Sequence, residues 1–180
     1  MTPSDALAKY AQLVAKVDTK FNAIHQQHRA DMQCGKGCAA CCKPGLTVSS
    51  VEAAAIKDYV SQHSEVRAQL DALDALTDAA SRANGCALLT KDGGCSIYPV
   101  RPLVCRSHGA PLKWREKESA LRDVCPLNFT ENSLEQIADS DFIDLDTLNT
   151  LLALINGAFS QSADPLQRTP LTPRALLSRS

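Results

Sequence analysis

Four cysteines fall within nine consecutive positions of the segment QCGKGCAACCK, residues 33–43. Thiolates bind zinc and iron, and structural metal sites commonly use four of them. The cysteines stand among glycines and prolines, whereas cysteines that serve as small core residues would occupy apolar helix positions. We therefore predict that all eight are metal ligands: Cys34, Cys38, Cys41, Cys42, Cys86, Cys95, Cys105 and Cys125.

Cys41 and Cys42 are neighbours, and this bears on how the thiols are shared. Adjacent residues point their side chains in different directions, so we expect the two to serve different metals, or one of them to remain a free thiol. Eight thiolates could fill two four-thiolate sites, hold one iron–sulfur cluster and one zinc ion, or form a thiolate-bridged multinuclear site. The sequence leaves these alternatives open, and with them the choice between zinc and iron.

Other uses of closely spaced cysteines fit less well. The start of the chain, MTPSDALAKY, lacks the basic and apolar regions of a secretory signal, so we expect a cytoplasmic location, where disulfides are rare. The C-x-x-C spacing of Cys38 and Cys41 is also that of disulfide oxidoreductases, but the βαβ pattern of their fold is missing. The spacing from Cys34 to Cys41 is similar to that of radical S-adenosylmethionine enzymes, whose large β/α barrel this chain is too short to form.

The elements that must position these loops are predicted to be helices. Apolar residues at steps of three and four predict a first helix over residues 4–31, with Ser4 as its N-cap. Ser49 and Glu52 form a capping box before a second helix. Three more helices are predicted at about 64–83, 133–138 and 145–159, the first of them ended by Asn84–Gly85 and the last by Gly157.

Residues 85–126 carry the other four cysteines and predict little regular structure. The sequence KDGG between CALLT and CSIY predicts one short β-hairpin, and prolines interrupt the residues after it. Such a segment has little else to order it, so we expect metal coordination to contribute directly to its folding. Arg101 and Arg106 could donate hydrogen bonds to sulfur atoms or carbonyls, and His108 is expected beside the site rather than as a ligand.

The predicted fold class is mostly α: a small helical domain with irregular, metal-pinned loops and one short β-hairpin. Residues 1–160 are predicted to form a single cysteine-cluster metal-binding domain with its core motif at 34–126, and residues 161–180 a flexible tail. The 19 Lys+Arg and 20 Asp+Glu residues nearly cancel, which argues against nucleic acid or an anionic membrane as a partner. No apolar run approaches the ~20 residues of a transmembrane helix.

The cysteine pattern as a whole resembles that of the YkgJ-like cysteine-cluster (CxxCxxCC) family, whose members are described as zinc- or iron-chelating. The resemblance rests on CGKGCAACC, on GC at 85–86, on the C-x-I-Y-x-x-R-P-x-x-C-R run from Cys95 to Arg106, and on CP at 125–126. Here Cys34 and Cys38 are separated by three residues rather than two. The flagellin lysine N-methylases look similar through a comparable cysteine cluster, although this chain has no glycine-rich nucleotide fingerprint.

Three functions are carried as hypotheses. The first is a metal-binding protein without catalysis of its own, acting in storage, delivery or sensing, with metal ions as its partners. The second, by analogy with the methylases, is an iron–sulfur-dependent protein-modifying enzyme. The third is a structural zinc module that presents its helices to a protein partner. No catalytic residue is predicted, because none of the four histidines lies in a motif that identifies its partner.

Overall fold

The computed structural model describes residues 2–35, 37–76, 85–160 and 167–178, and within them helices dominate. The coarse prediction of a mostly α fold is therefore confirmed, although short strands accompany the helices. The helices are α1 (Pro3–Gln27), α2 (Ser50–Gln62), α3 (Ser64–Ala75), α4 (Leu103–Ser107), α5 (Leu145–Ser160) and α6 (Pro173–Leu177). The strands are β1 (Thr47–Ser49), β2 (Leu112–Glu116), β3 (Ser119–Asp123), β4 (Ile143–Asp144) and β5 (Arg168–Pro170).

The first helix begins at a capping box that was not predicted, two residues before the predicted N-cap Ser4. Thr2, not Ser4, is the N-cap: its Oγ1 accepts from the Asp5 N–H at 3.1 Å, while the Asp5 carboxylate accepts from the Thr2 N–H at 2.9 Å. Pro3 suits the first helical position because no partner is needed there for an N–H. The helix buries one apolar stripe, and it ends at Gln27, before the predicted end at residue 31.

The second capping box is confirmed, and it reaches further than predicted. The Glu52 carboxylate accepts from the Ser49 N–H at 2.9 Å and from its hydroxyl at 2.8 Å. Its other oxygen accepts from the N–H of Leu103 at 3.1 Å. Glu52 is 2% exposed. One buried carboxylate therefore joins the start of α2 to the start of α4, the short helix that contains Cys105.

Two apolar clusters hold the elements together. The first forms between α1 and α5 and includes Leu103. The second lies between α2, α3 and α6, and receives Leu88 and Ile97, which are each 1% exposed. The segment 85–126 is thus anchored by its own buried side chains. The expectation that this segment has little else to order it is corrected to the extent that Leu88 and Ile97 pack in the core. That metal coordination contributes to its folding stays a prediction.

The hairpin of this fold lies later in the chain than predicted. At KDGG the structure has only a single β-bridge, which pairs Leu89 with Cys95. The turn inside it is closed by a hydrogen bond of 2.8 Å from the Thr90 N–H to the Gly94 carbonyl. A true antiparallel hairpin forms instead from β2 and β3, and β4 adds to it in parallel. The sequence signal was missing because the turn has no glycine: Lys117 takes the left-handed conformation, with φ at 55°.

Two other predictions about elements need revision. Around 133–138 the structure has only a 3-10 turn, Leu134–Gln136. Helix α5 continues past Gly157 to Ser160, because a glycine in a helix costs stability without forcing an end. The predicted extension of α3 to residue 83 and its end at Asn84 lie outside the described residues. Within those residues, no helix is both long and apolar enough to cross a membrane.

The C-terminal stretch differs from the flexible tail that the sequence suggested. Of residues 161–180, the structure describes 167–178. Here β5 pairs antiparallel with β1, and the Arg168 Nη2 donates to the Thr47 carbonyl at 2.8 Å. Leu171 and Leu176 are buried in the second apolar cluster. Burial against α2 and α3 therefore holds this stretch in place. Because these helices are far away in sequence, the local pattern of residues did not indicate the contact.

Replacing Glu52 should destabilise the fold well beyond the loss of an ordinary capping box. Glu52→Ala leaves the buried Leu103 N–H without an acceptor, so we expect the free energy of unfolding to fall by about 3 kcal/mol. Urea denaturation measures this loss. Glu65→Ala, in the exposed first turn of α3, is the matched control and should stay within about 0.5 kcal/mol of the parent. Equal losses in the two variants would contradict the assigned role of Glu52.

Candidate metal centre

The described residues of the cysteine-rich segment, 33–35 and 37–43, form tight turns, as predicted. The Cys38 N–H donates to the Gly35 carbonyl at 3.1 Å, and the Cys42 N–H to the Ala39 carbonyl at 3.0 Å. Gly37 has a φ of 93°, a conformation that favours glycine. None of the eight cysteines is part of a disulfide. The loop thus presents four thiols on a short, strongly curved backbone.

The eight thiols divide into two groups of four according to which of them interact electrostatically. In the first group, Cys34 and Cys41 each interact with all the other members, and in the second group every thiol interacts with every other one. The groups adjoin: the thiol that interacts most strongly with Cys41 is Cys42 of the second group, and weaker interactions link Cys41 to Cys105 and Cys38 to Cys42. The first group is Cys34, Cys38, Cys41 and Cys125, and the second is Cys42, Cys86, Cys95 and Cys105. The boundary between the groups runs between the neighbours Cys41 and Cys42.

Burial raises the pKa of most of these thiols and so favours their protonated form. It is the largest cause that raises the pKa of Cys34, Cys41, Cys42, Cys86 and Cys95 above the usual thiol value, and other thiols nearby add to the effect at all of these except Cys86. The effect is strongest at Cys105, whose pKa is raised to about 12, first by burial and then by Cys95, Cys86, Cys42 and Cys41. Because a thiolate is the form that binds metal, a bound cation would have to displace these protons.

Asn128 positions the first group, and the sequence analysis missed it. It is 2% exposed, and its Nδ2 donates to the Cys34 Sγ at 3.1 Å and to the Gly109 carbonyl at 2.7 Å. Its Oδ1 accepts from the Gln33 N–H at 2.8 Å. Its own N–H donates to the Cys125 carbonyl at 2.8 Å. One residue therefore ties Cys34 to Cys125. The only signal in the sequence was a polar residue three positions after Cys125.

Gly109 was also missed, and it makes room for the same sulfur. Its φ is 104°, and a Cβ at this position would lie 2.5 Å from the Cys34 Sγ. No real side chain tolerates that contact, so only glycine lets Cys34 approach the backbone here. The amide N–H on the sulfur and the space beside it are features that orient thiolate ligands in metal sites.

The second group is assembled from three segments. The Cys86 N–H donates to the Cys42 carbonyl at 2.9 Å, which brings the two cysteines together. The bridge to Leu89 places Cys95 beside them, and Ser96 fastens this turn by donating to the Leu88 carbonyl through both its N–H and its hydroxyl at 3.0 Å. Cys105 lies in α4, which Glu52 holds.

The two arginines act on the backbone and on other side chains. The Arg106 Nη1 donates to the Asp18 carboxylate at 2.7 Å and its Nε to the Arg101 carbonyl at 2.6 Å, so it fastens α4 to α1. The Arg101 guanidinium lies 3.7 Å from the centre of the Tyr98 ring. Its charge also slightly offsets the burial that raises the pKa of Cys95. The sequence suggested either sulfur atoms or carbonyls as hydrogen-bond acceptors, and Arg106 donates to backbone carbonyls.

Two cavities adjoin the thiols. The polar cavity, of ≈ 360 Å³, is lined by Cys34, Cys38 and Cys41 and by polar side chains that include Asp18, Asn22 and His108. The apolar cavity, of ≈ 250 Å³, is lined by all four thiols of the second group and by aliphatic side chains. Cys38, Cys41, Cys105 and His108 line both cavities. His108 therefore lies beside the thiols, as the sequence suggested.

The eight thiols have the chemistry that a soft or borderline cation requires, but their side chains are not positioned around a common point. In the part of the chain that the structure describes, no three Cys, His, Asp or Glu side chains are placed to hold one ion. Each group nevertheless supplies four thiols, the usual number for a structural zinc site or an iron–sulfur cluster. The Asn128 contact and the space at Gly109 orient one of them. Binding would require the thiols of a group to draw closer together.

A comparison with protein families decides what kind of chain this is. Residues 33–126, just over half of the 180 residues, match the family model "CxxCxxCC: Putative zinc- or iron-chelating domain". The chain belongs to the CxxCxxCC family. The resemblance inferred from the cysteine pattern is thereby confirmed, and the family description makes zinc or iron chelation its general function. Searches of curated proteins and of solved structures find no match.

Filling the space at Gly109 should disturb this centre. In Gly109→Ala the new Cβ meets the Cys34 Sγ, and the backbone conformation is strained, so we expect the free energy of unfolding to fall by about 2 kcal/mol. Gly157→Ala is the control, because no atom lies within 4 Å of its added Cβ and the residue is helical. That variant should be about as stable as the parent or up to about 1 kcal/mol more stable. Thermal or urea unfolding of both variants measures the contrast, and a Gly109→Ala protein as stable as Gly157→Ala would refute the close approach.

Proposed function

We propose that this member of the CxxCxxCC family binds zinc or iron at two separate four-thiolate sites. The first site consists of Cys34, Cys38, Cys41 and Cys125, and the second of Cys42, Cys86, Cys95 and Cys105. The observation that carries the proposal is geometric: Asn128 ties Cys34 to Cys125, whereas all four thiols of the second site line one cavity that neither of these two lines. The electrostatic interactions within each group support it. Four thiolates complete the coordination of a zinc ion or anchor a cluster.

The division also explains the adjacent cysteines. A chain that turns tightly at residues 39–43 can direct Cys41 to one site and Cys42 to the other. In this proposal neither is a free thiol, and the two sites share one backbone. A single bridged multinuclear centre and a mixture of zinc with an iron–sulfur cluster remain outcomes that metal analysis distinguishes.

Metal binding would connect segments that are far apart in sequence. The first site would join the loop at 33–43 to Cys125, and the second would join it to Cys86, Cys95 and Cys105. Because these closures would add to the apolar packing already described, metal and packing together would hold the loops in place. The role that fits is a metal-binding protein without catalysis of its own, acting in storage, delivery or sensing.

Metal content tests the division of ligands. Protein purified without oxygen should contain two metal centres, counted by mass spectrometry of the metals together with acid-labile sulfide. Cys41→Ser and Cys42→Ser should each lose one centre, and the double variant both. The matched double variant Cys34→Ser, Cys41→Ser should lose only one, since its two changes fall in the same site.

The double variants separate the alternatives. Loss of both centres from the Cys34, Cys41 variant, or of only one from the Cys41, Cys42 variant, would contradict the proposal. Iron with sulfide would identify a cluster, whereas zinc without sulfide would identify a mononuclear thiolate site.

Binding at the second site should depend steeply on pH. Because burial raises the pKa of Cys42, Cys86, Cys95 and Cys105, these thiols hold their protons at neutral pH until a metal displaces them. Four protons released per ion make the zinc affinity fall as pH falls, by roughly 10⁴-fold per pH unit. The Cys38→Ser variant, which lacks one ligand of the first site, confines the measurement to the second site. Competition for zinc against a chromogenic chelator at several pH values near neutrality then gives the number of protons released per ion. A slope of one proton or fewer would contradict binding by four protonated thiols.

A further inference from the structure

The two sites of the proposed function differ in part of their surroundings, although Cys38, Cys41 and Cys105 line both cavities. Three thiols of the first group face the polar cavity, and Cys38 is exposed to solvent. The fourth, Cys125, is 5% exposed and does not line this cavity. A metal in the first site would thus be held from the protein side by Cys125 and would be open to water on the cavity side.

The walls of the polar cavity suit water and hydrophilic molecules. Asp18 lies at its edge with 41% of its side chain exposed, and its carboxylate pairs with Arg106. Asn22 and His108 add further polar groups. A small chelator or a coordinating side chain of another molecule could approach a metal here while remaining hydrated.

The second group lies in a more apolar environment, although its Cys105 also lines the polar cavity. Its four thiols line the apolar cavity, whose other walls include the aliphatic side chains Leu46, Leu88, Leu89, Ile97, Val104 and Leu171. Leu171 comes from the C-terminal stretch, and its N–H donates to the Leu46 carbonyl at 2.8 Å, which holds that stretch over the site. Lys43 and Arg101 also line this cavity, but most of its wall is apolar. Water and charged chelators are costly to bring against aliphatic side chains, so ligand exchange there should be slower than at the first site.

We propose that the first site is where metal is exchanged with hydrophilic acceptors, and that the second site retains its metal and holds the loops in place. This inference rests on the two-site function proposed above. The acceptor is defined by its chemistry: a small molecule or side chain with carboxylate or thiolate donors that enters through the polar cavity. The C-terminal stretch, through Leu171, restricts access to the second site.

The test is the rate at which zinc is lost. Protein loaded with two equivalents of zinc is mixed with excess pyridylazoresorcinol, and the absorbance of the zinc complex is followed. We expect two phases of one equivalent each, with rates that differ by at least about tenfold. Cys38→Ser should lack the fast phase, and Cys86→Ser should lack the slow phase.

Two variants at the wall of the apolar cavity test the reason for the difference. Leu171→Ala should speed the slow phase about tenfold and leave the fast phase unchanged. Because Leu171 is buried and its loss could affect folding, Val104→Ala serves as a milder variant: Val104 is 47% exposed at the same cavity. Leu154→Ala is the control, since this leucine of α5 is 67% exposed and lines neither cavity. It should change neither rate.

The outcomes separate the inference from the function on which it rests. A protein that takes up fewer than two equivalents of zinc overturns the two-site function. A protein that takes up two but releases both in one phase overturns only the difference in access, as does a fast phase that disappears in Cys86→Ser rather than in Cys38→Ser. Slow-phase rates in Leu171→Ala and Val104→Ala that equal the rate in Leu154→Ala would overturn the role of the apolar wall.

Discussion

Mutual repulsion among crowded thiolates is the constraint on which the rest of this structure depends. Eight sulfurs near one another are stable as neutral thiols, but as anions they require a cation between them. Burial pushes the thiols toward the neutral form, most strongly at Cys105. The protein therefore maintains two alternative ways of neutralising the same groups, protons or metal. Under the proposed function, metal affinity, its pH dependence and loop stability would all follow from that competition.

The scaffold meets this constraint with a few polar contacts, each of which connects a thiol-bearing segment to a helix or a second segment. Glu52 joins α2 to α4, Arg106 joins α4 to α1 through Asp18, and Asn128 joins Cys34 to the turn after Cys125. The apolar clusters hold the helices, and these contacts locate the sulfurs relative to them. Such a division of roles tolerates irregular loops, because each loop needs to be correct only where it is fastened.

The sequence predicted the features that depend on local pattern. Helices α1, α2 and α5 have apolar residues at helical spacing, and the Ser49–Glu52 capping box is contained within four residues. The helices and the capping box could therefore be predicted from the sequence. The β2–β3 hairpin was missed because Lys117 occupies a position where glycine is expected. Asn128 and Gly109 act on Cys34 across most of the length of the cysteine motif, and α6 is fixed by burial against α2 and α3. The division of the thiols into two groups is likewise tertiary, although the adjacent Cys41 and Cys42 had suggested it.

The contrast between the two cavities gives the shared backbone at Cys41–Cys42 a physical consequence. If the second site keeps its ion, it fixes Cys42, and through one peptide bond it limits the positions that Cys41 can take in the first site. An exchangeable site usually becomes disordered when it empties, because its ligands are then free to move and to oxidise. A retained ion next to it would keep the ligands of the open site near their binding positions between one metal and the next. Placing two sites on one tight loop would thus let one ion preserve the geometry through which another passes.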